Sequence, residues 1–205
     1  MGIEAKALRA SLDAVAAREP KVAAALAVAG YPEPRISATG YQTLLRAIVG
    51  QQVSIIAAAS MWNKLTAVAG DPPEPERLLA ASDEALRGAG LSRQKASYAR
   101  SLAEEVLSGR LDFTKLPADD EEAIAELVRV KGIGRWTAEI YLLFAEGRAD
   151  IWPAGDLAVQ IEIGNILGLD GKPTEKTLRD IAEPWRPHRG AMAIFAWHHR
   201  HFVPL

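Results

Sequence analysis

The sequence predicts an all-α fold of about ten helices, and three features of the chain support this prediction. Alanine and leucine are abundant while runs of β-branched residues are few, which favours helices over strands. Apolar side chains recur every three or four residues, as Leu8, Leu12 and Val15 do. Proline, glycine, serine and aspartate stand between these segments, where they mark helix ends.

The first half of the chain carries start and stop signals at several predicted helix ends. Pro20 suits the first position of a helix that Gly30 ends. Thr39, Ser82 and Ser92 are the expected N-caps of three later helices, because their hydroxyl groups accept bonds from backbone N–H groups. The predicted helices span residues 5–15, 20–30, 39–49, 53–68, 82–88 and 92–109, with a rigid proline turn at 71–75.

The second half of the chain continues the helical pattern. Asp119 opens one helix, and a glycine-rich turn separates it from a second helix that begins at Arg135. Residues 127–131 also fit a short strand, which bears on the reading of that turn. The predicted helices span residues 119–128, 135–145, 156–167, 175–183 and 188–199.

Composition narrows the class of protein. The chain of 205 residues is 49% hydrophobic, enough for one large domain or two small ones with a buried core. It has no cysteine, which excludes disulfides, cysteine-ligated zinc and any iron–sulfur cluster. The net charge of −2 disfavours indiscriminate coating of nucleic acid but permits a local basic face. Without a secretory signal or a long apolar run, we expect a cytoplasmic protein that does not enter membranes.

The most informative stretch is the turn from Val130 to Ala138. Gly132 and Gly134 flank Ile133, and the N–H groups of such a turn are ready binders of anions. Three interpretations stay open here: an unliganded helix turn, a dinucleotide-binding fingerprint, and a hairpin that holds a DNA phosphate. The dinucleotide interpretation is weakened because Thr137 stands where a third glycine or alanine belongs, and no strands alternate with the helices.

Asp156 is the second informative residue, because it follows Pro-Ala-Gly and precedes an apolar helix. An ordinary N-cap is one interpretation of this position. A catalytic carboxylate is the other, and the residues alone leave both open.

Four stretches of the chain resemble one known family. These are residues 127–138 (Leu-Val-Arg-Val-Lys-Gly-Ile-Gly-Arg-Trp-Thr-Ala), 45–54, 90–98 and 151–156. They are similar to the helix-hairpin-helix (HhH-GPD) superfamily of DNA glycosylases, and most of all to its 3-methyladenine DNA glycosylase II branch in a compact form. The resemblance implies two helical lobes with the active-site cleft between them. The expected domains are a six-helix barrel at 38–148 and a second helical domain from 1–37 plus 149–205.

The resemblance also implies roles for individual residues. Asp156 matches the essential carboxylate, which stabilises oxocarbenium charge while the N-glycosidic bond breaks. Ile140 falls where the family has a more specific pocket tyrosine, which bears on substrate range. The implied base pocket comprises Trp136, Trp197, Trp152, Tyr141 and Ile140, whereas Trp62 and Trp185 are expected in the core.

DNA contacts are implied on the hairpin side. Gln52, with Gln51 beside it, matches the side chain that fills the gap left by a flipped base; the alternative is that both residues only link two helices. The expected phosphate contacts are Gly132, Gly134 and Thr137, mostly through backbone N–H groups, and Lys131 and Arg135 flank this DNA-binding turn with positive charge. Arg93, Lys95, Arg186 and Arg189 are either a basic rim for DNA or solvated surface charge. Some family hairpins hold Na⁺ or K⁺ on carbonyls that match Val128, Val130 and Ile133.

The chain lacks the nucleophilic lysine that some relatives carry on the second hairpin helix. Trp136 stands where some relatives carry the lysine that attacks the sugar and cleaves the strand. We therefore expect a monofunctional glycosylase without strong lyase activity and without a required cofactor. His198, His199 and His201 suggest no metal site, because adjacent histidines point to different helix faces.

The sequence thus predicts a monomeric enzyme that excises alkylated bases from double-stranded DNA in base excision repair. The expected substrates are 3-methyladenine and 7-methylguanine, while hypoxanthine, ethenoadenine and other methylated bases stay open and oxidised guanine is disfavoured. Two other classes remain: a noncatalytic DNA-binding module that uses only the hairpin, and a helical scaffold for protein interactions.

Overall fold

The computed structural model describes residues 2–202. No strand occurs among these residues, which confirms the all-α prediction. The helices are α1 (Ala5–Ala16), α2 (Pro20–Ala29), α3 (Tyr41–Gly50), α4 (Ile55–Ala69), α5 (Pro75–Ala80), α6 (Asp83–Gly88), α7 (Arg93–Leu107), α8 (Asp120–Val128), α9 (Arg135–Tyr141), α10 (Leu157–Leu167), α11 (Glu175–Ala182) and α12 (Arg189–Phe202), with a π-helix at Leu142–Glu146 and a 3₁₀-helix at Glu183–Trp185.

Side-chain caps begin most of the helices that the sequence predicted to have one. Ser82 and Ser92 accept the backbone N–H groups of Ala85 and Lys95, as predicted. The prediction for Thr39 was wrong, because α3 begins at Tyr41 and its N-cap is Gly40. Gly40 adopts φ +103, a left-handed entry into the helix that a β-branched threonine would resist.

Two elements differ from the predicted pattern. The proline turn at 71–75 leads directly into α5, in which Pro75 occupies the first position, where its missing N–H costs nothing. The helix expected at 135–145 changes to a π-helix after Tyr141. A π-helix within an α-helical run is frequent at functional sites, which draws attention to residues 142–146.

The chain divides into two compact units. The first combines the residues up to Ser37 with those from Leu142 onward. In it, α2, α10 and α12 pack against one another, and α1 packs against α2 and α12. Their apolar faces bury Leu8, Leu12, Val22, Ile163 and Phe195, each at most 1% exposed. Residues 142–148, which we expected in the barrel domain, lie in this first unit, and residues 1 and 203–205 of the expected second domain lie outside the described residues.

The second unit runs from Ala38 to Tyr141. Helix α7 is its centre, because α3, α5 and α6 all pack against it, while α8 and α9 pack against each other. Leu44, Leu45, Leu65, Leu102 and Leu127 are fully buried there.

Within residues 2–202, no helix has both the length and the apolarity that crossing a bilayer requires.

Candidate functional site

The glycine turn in the second unit joins α8 to α9. Gly132 adopts φ +88, and a β-carbon at that position would lie 2.2 Å from Cδ2 of Tyr98. Both the backbone angle and the contact with the tyrosine ring therefore require glycine. Ile133 is buried beneath the turn, and its N–H donates to the carbonyl of Val130 at 3.0 Å.

Gly134 differs from Gly132 because the chain itself gives no reason for a glycine there. Its φ is not in the left-handed range, and a β-carbon would meet no heavy atom within 4 Å. The residue is exposed at the start of α9, so the space in front of its backbone is open. Glycine at an open position of ordinary conformation permits another molecule to approach the backbone closely.

Arg135, which we expected to face DNA as positive charge beside the turn, is held by two carboxylates. Its Nη1 donates to Glu121 at 2.8 Å and its Nε donates to the buried Glu139 at 2.9 Å. The hydrogen bonds to Glu121, together with the charge of Glu139, raise the pKa of Arg135. The guanidinium thus ties α8 to α9 and stiffens the hairpin, a role that its sequence position did not indicate.

The two glutamines beside the hairpin have different surroundings. Gln51 Nε2 donates to the carbonyl of Gly132 at 2.9 Å, which fixes the α3–α4 turn to the hairpin. Gln52 is exposed and adopts φ +55, the only positive φ of a non-glycine residue in the described chain. Such a conformation costs about 1–3 kcal/mol and persists mainly where surrounding structure or function imposes it.

Both glutamines line a cavity of about 450 Å³. Lys95 lies in its wall and donates from Nζ to the carbonyl of Val49 at 2.7 Å, and burial lowers the pKa of this lysine. The cavity is lined by amide, hydroxyl and apolar groups: Gln51, Gln52, Val53, Met61, Gly90, Ser92, Gln94, Lys95, Tyr98 and Gly132.

The remaining predicted residues of the hairpin segment vary in exposure. Trp136 is 50% exposed, Lys131 is exposed, and Thr137 and Ile140 are half-buried. The predicted pocket residue Tyr141 is 3% exposed. Its Oη accepts the N–H of Gly40 at 2.8 Å and its ring packs on Phe113, so these contacts argue for a structural role. Of the predicted cation-binding carbonyls, those of Val130 and Ile133 lie in the turn and that of Val128 ends α8.

Asp156 lies in the first unit at the N-terminus of α10. Its Oδ1 accepts the N–H of Val159 at 2.9 Å, so the N-cap interpretation is confirmed. The same oxygen accepts Nε1–H of Trp197, on α12, at 3.2 Å. Two donors from two helices therefore orient a carboxylate that is only partly buried. A carboxylate held in this way can stabilise positive charge without first reorganising.

Aromatic and cationic side chains continue from Trp197. The ring of Phe144 lies 5.6 Å from the Trp197 ring, and the Arg35 guanidinium lies 5.4 Å from the centre of Phe144. Phe144 lies in the π-helix and is half-buried. Neither Phe144 nor Arg35 was predicted as a site residue from the sequence. The available signal was an aromatic residue near the end of the predicted 135–145 helix, which periodicity alone does not distinguish from a core residue.

Trp152, which we expected in the base pocket, is 3% exposed. Its Nε1 donates to the carbonyl of Leu178 at 3.3 Å, and its ring meets Trp185 edge to face at 5.7 Å. These contacts make Trp152 a core residue of the aspartate loop. Trp62 and Trp185 are buried too, as predicted.

Three other charged or titratable residues of the first unit, Arg186, Arg189 and His199, have structural partners. Arg186 and Arg189, which we expected at a basic rim, both bind Asp150, and Arg189 is buried. His199 Nδ1 pairs with the buried Glu162 at 3.1 Å. Within residues 2–202, no group of three or more histidine and carboxylate side chains is placed to hold a metal ion.

Known proteins resemble this chain in sequence. The DNA-3-methyladenine glycosylase 1 of Schizosaccharomyces pombe is 34% identical over 162 residues, covering 77% of this chain and 71% of that protein. The DNA-3-methyladenine glycosylase 2 of Escherichia coli is 29% identical, and the match covers 78% of this chain and 57% of the E. coli protein.

Solved structures agree with the sequence comparison. A DNA-3-methyladenine glycosidase from Bacillus halodurans matches with a TM-score of 0.83 and 34% identity, covering 91% of this chain and 87% of that chain. The S. pombe 3-methyladenine DNA glycosylase Mag1, solved in complex with abasic DNA, matches with a TM-score of 0.81 and 27% identity. The match covers 94% of this chain and 97% of the Mag1 chain. Residues 45–187 match the model of the HhH-GPD superfamily base excision DNA repair proteins. The chain therefore belongs to the HhH-GPD superfamily.

Proposed function

We propose that this protein is a DNA-3-methyladenine glycosylase that acts in base excision repair by hydrolysing the N-glycosidic bond of alkylated bases. The observation that carries the proposal is the Asp156 carboxylate, held by the N–H groups of Val159 and Trp197. The names of the S. pombe and E. coli relatives and of the B. halodurans structure support the choice of reaction.

The chemistry requires one fixed anion. As the bond between the sugar and the base lengthens, positive charge develops on the deoxyribose ring, and the Asp156 carboxylate stabilises it electrostatically. The bond electrons leave with the base, and water then adds to the sugar carbon, losing a proton. Asp156 either accepts that proton or acts by charge alone; both roles need the carboxylate to be ionised.

Selectivity for alkylated bases follows from their charge. Methylation at N3 of adenine or N7 of guanine makes the base cationic, so it is a better leaving group and is attracted to aromatic faces. Trp197 and Phe144 supply such faces near Asp156. We propose 3-methyladenine and 7-methylguanine as substrates. Ile140, an aliphatic residue at the family's tyrosine position, leaves the wider lesion range to experiment.

The DNA itself would be held by the hairpin. Backbone N–H groups of the turn at Gly132 and Gly134 take one phosphate, supported by the open space at Gly134 and by Lys131 and Thr137 nearby. Gln52 fills the gap left by the flipped base; this choice over Gln51 is favoured because the Gln51 amide already binds the Gly132 carbonyl.

Further properties belong to the same proposal. The protein acts as a monomer in the cytoplasm on double-stranded DNA and requires no cofactor. A Na⁺ or K⁺ ion at the hairpin would bind the carbonyls of Val128, Val130 and Ile133. The Val130 carbonyl already accepts one N–H, and a carbonyl oxygen has a second lone pair for such an ion.

The substitution Asp156→Asn tests the catalytic carboxylate. Asparagine is also a good N-cap, so α10 keeps its cap while the negative charge is lost. We expect the single-turnover rate of base release from a 7-methylguanine duplex to fall about 100- to 1,000-fold, while duplex affinity changes little. Release at the wild-type rate would exclude Asp156 from catalysis. Duplex binding by a wild-type protein that releases no base would instead favour a noncatalytic DNA-binding module.

The absence of a lysine at position 136 predicts that no covalent intermediate forms between protein and sugar. Reaction with a damaged duplex in the presence of borohydride should leave the wild-type chain and DNA unlinked, and the abasic strand should stay intact until alkali is added. The substitution Lys131→Ala is the control for any trace of trapping by the nearest hairpin amine. Efficient trapping by wild type would contradict the proposal of a monofunctional enzyme.

The substitution Gly134→Ala separates DNA approach from folding. Its β-carbon meets nothing in the chain, so the thermal midpoint should stay at or above that of wild type. Affinity for an undamaged duplex should fall at least about tenfold, because the methyl group stands between the turn and a phosphate. Gly132→Ala is the contrasting variant and should lower both stability and affinity. Unchanged affinity in Gly134→Ala would mean that this turn does not contact the backbone.

A further inference from the structure

We propose that a second phosphate-binding site lies beside the hairpin, in a cavity of about 430 Å³ whose lining includes Lys131 and Arg93 among the residues predicted to face DNA. The inference rests on the proposed function and extends it, because the ligand is the DNA backbone beyond the phosphate at Gly132 and Gly134. The cavity is lined by Asp83, Arg87, Leu91, Arg93, Ala96, Ser97, Arg100, Ser101, Glu104 and Lys131.

The charge of the lining favours an anion. Four cationic side chains and two carboxylates face the cavity, a local excess of +2 in a chain whose net charge is −2. Asp83 is paired with Arg100 at 3.0 Å, and Arg100 also donates to the carbonyl of Ala81. Within the described part of the chain, Arg87, Arg93 and the Lys131 ammonium form no salt bridge, and the charge of Arg87 also acts on the exposed Glu84.

Helix α7 provides an independent reason to expect an anion here. Arg93 is its first residue and Lys95 its third, and its first turn holds no acidic residue. Cations at a helix N-terminus oppose the helix dipole and so destabilise the helix. A negative ligand in contact with Arg93 removes this conflict, because it interacts favourably with both the guanidinium and the helix end.

The cavity is joined to the hairpin by a hydrogen bond. The backbone N–H of Lys131, the residue before Gly132, donates to Oγ of Ser101 at 3.1 Å. Because that hydroxyl accepts here, its own proton remains available to a phosphate oxygen. Continuity with the hairpin makes a phosphate of the same duplex the occupant that fits best, rather than an acidic peptide.

The double variant R87A/R93A tests this site through the salt dependence of DNA binding. Each phosphate that a protein neutralises contributes about −0.9 to the slope of log K against log salt concentration. We expect the slope for an undamaged duplex, measured by fluorescence anisotropy, to become shallower by about 0.9 in the variant, the contribution of one phosphate. Base release by the wild type, measured in a single turnover on a 7-methylguanine duplex, reports separately on the proposed function.

The matched control is K64A/R77A, which removes the same charge from exposed residues that do not line the cavity. Its slope should stay close to that of wild type. The second site would be overturned by an R87A/R93A slope equal to that of wild type, or by an equal change of slope in both double variants. In either case, base release by the wild type would still uphold the proposed function. If the wild type binds duplex but releases no base, while R87A/R93A still shows the shallower slope, the second site is supported and the proposed enzymatic function is overturned.

Discussion

The chemistry proposed for this protein depends on the hydrogen bond between Trp197 and Asp156. It joins two residues that lie 41 positions apart and thereby links α12 to the start of α10. The Val159 N–H holds the same oxygen from within α10. A carboxylate with one donor could rotate as a neighbouring helix moves, whereas two donors from two helices fix its orientation before any substrate arrives. The nearby ring of Phe144 completes an arrangement suited to a cationic base.

The hairpin is rigid for a different set of reasons. Tyr98 packs where a Gly132 side chain would be, Gln51 holds the Gly132 carbonyl, and Ser101 holds the Lys131 N–H. Arg135 joins both helices through Glu121 and Glu139. These contacts satisfy the polar groups of the turn from the inside and leave Gly134 open on the outside. The phosphate proposed for this turn would therefore meet backbone groups that are already ordered.

Local signals predicted most of the fold, and distant contacts account for what was missed. Ser92 was identifiable as a cap because its partner is three residues away. Tyr141 was not identifiable as a core residue, because its hydroxyl binds Gly40, which lies 101 positions away. The same holds for Trp152, whose indole N–H reaches Leu178. Asp156 was predicted as a site residue through the family motif. Phe144 was not predicted, because it lies in a π-helix, which helical periodicity does not anticipate.

The most direct test of the central claim is the single-turnover rate of base release by Trp197→Phe at saturating enzyme. Phenylalanine keeps an aromatic face but lacks the indole N–H, so the hydrogen bond to Asp156 is lost together with part of the ring volume. A bond to a charged group contributes about 1.5–3 kcal/mol, and we therefore predict a rate at least about tenfold below wild type with unchanged duplex affinity. A Trp197→Phe variant that releases 7-methylguanine at the wild-type rate would contradict the claim that this bond prepares the carboxylate for catalysis.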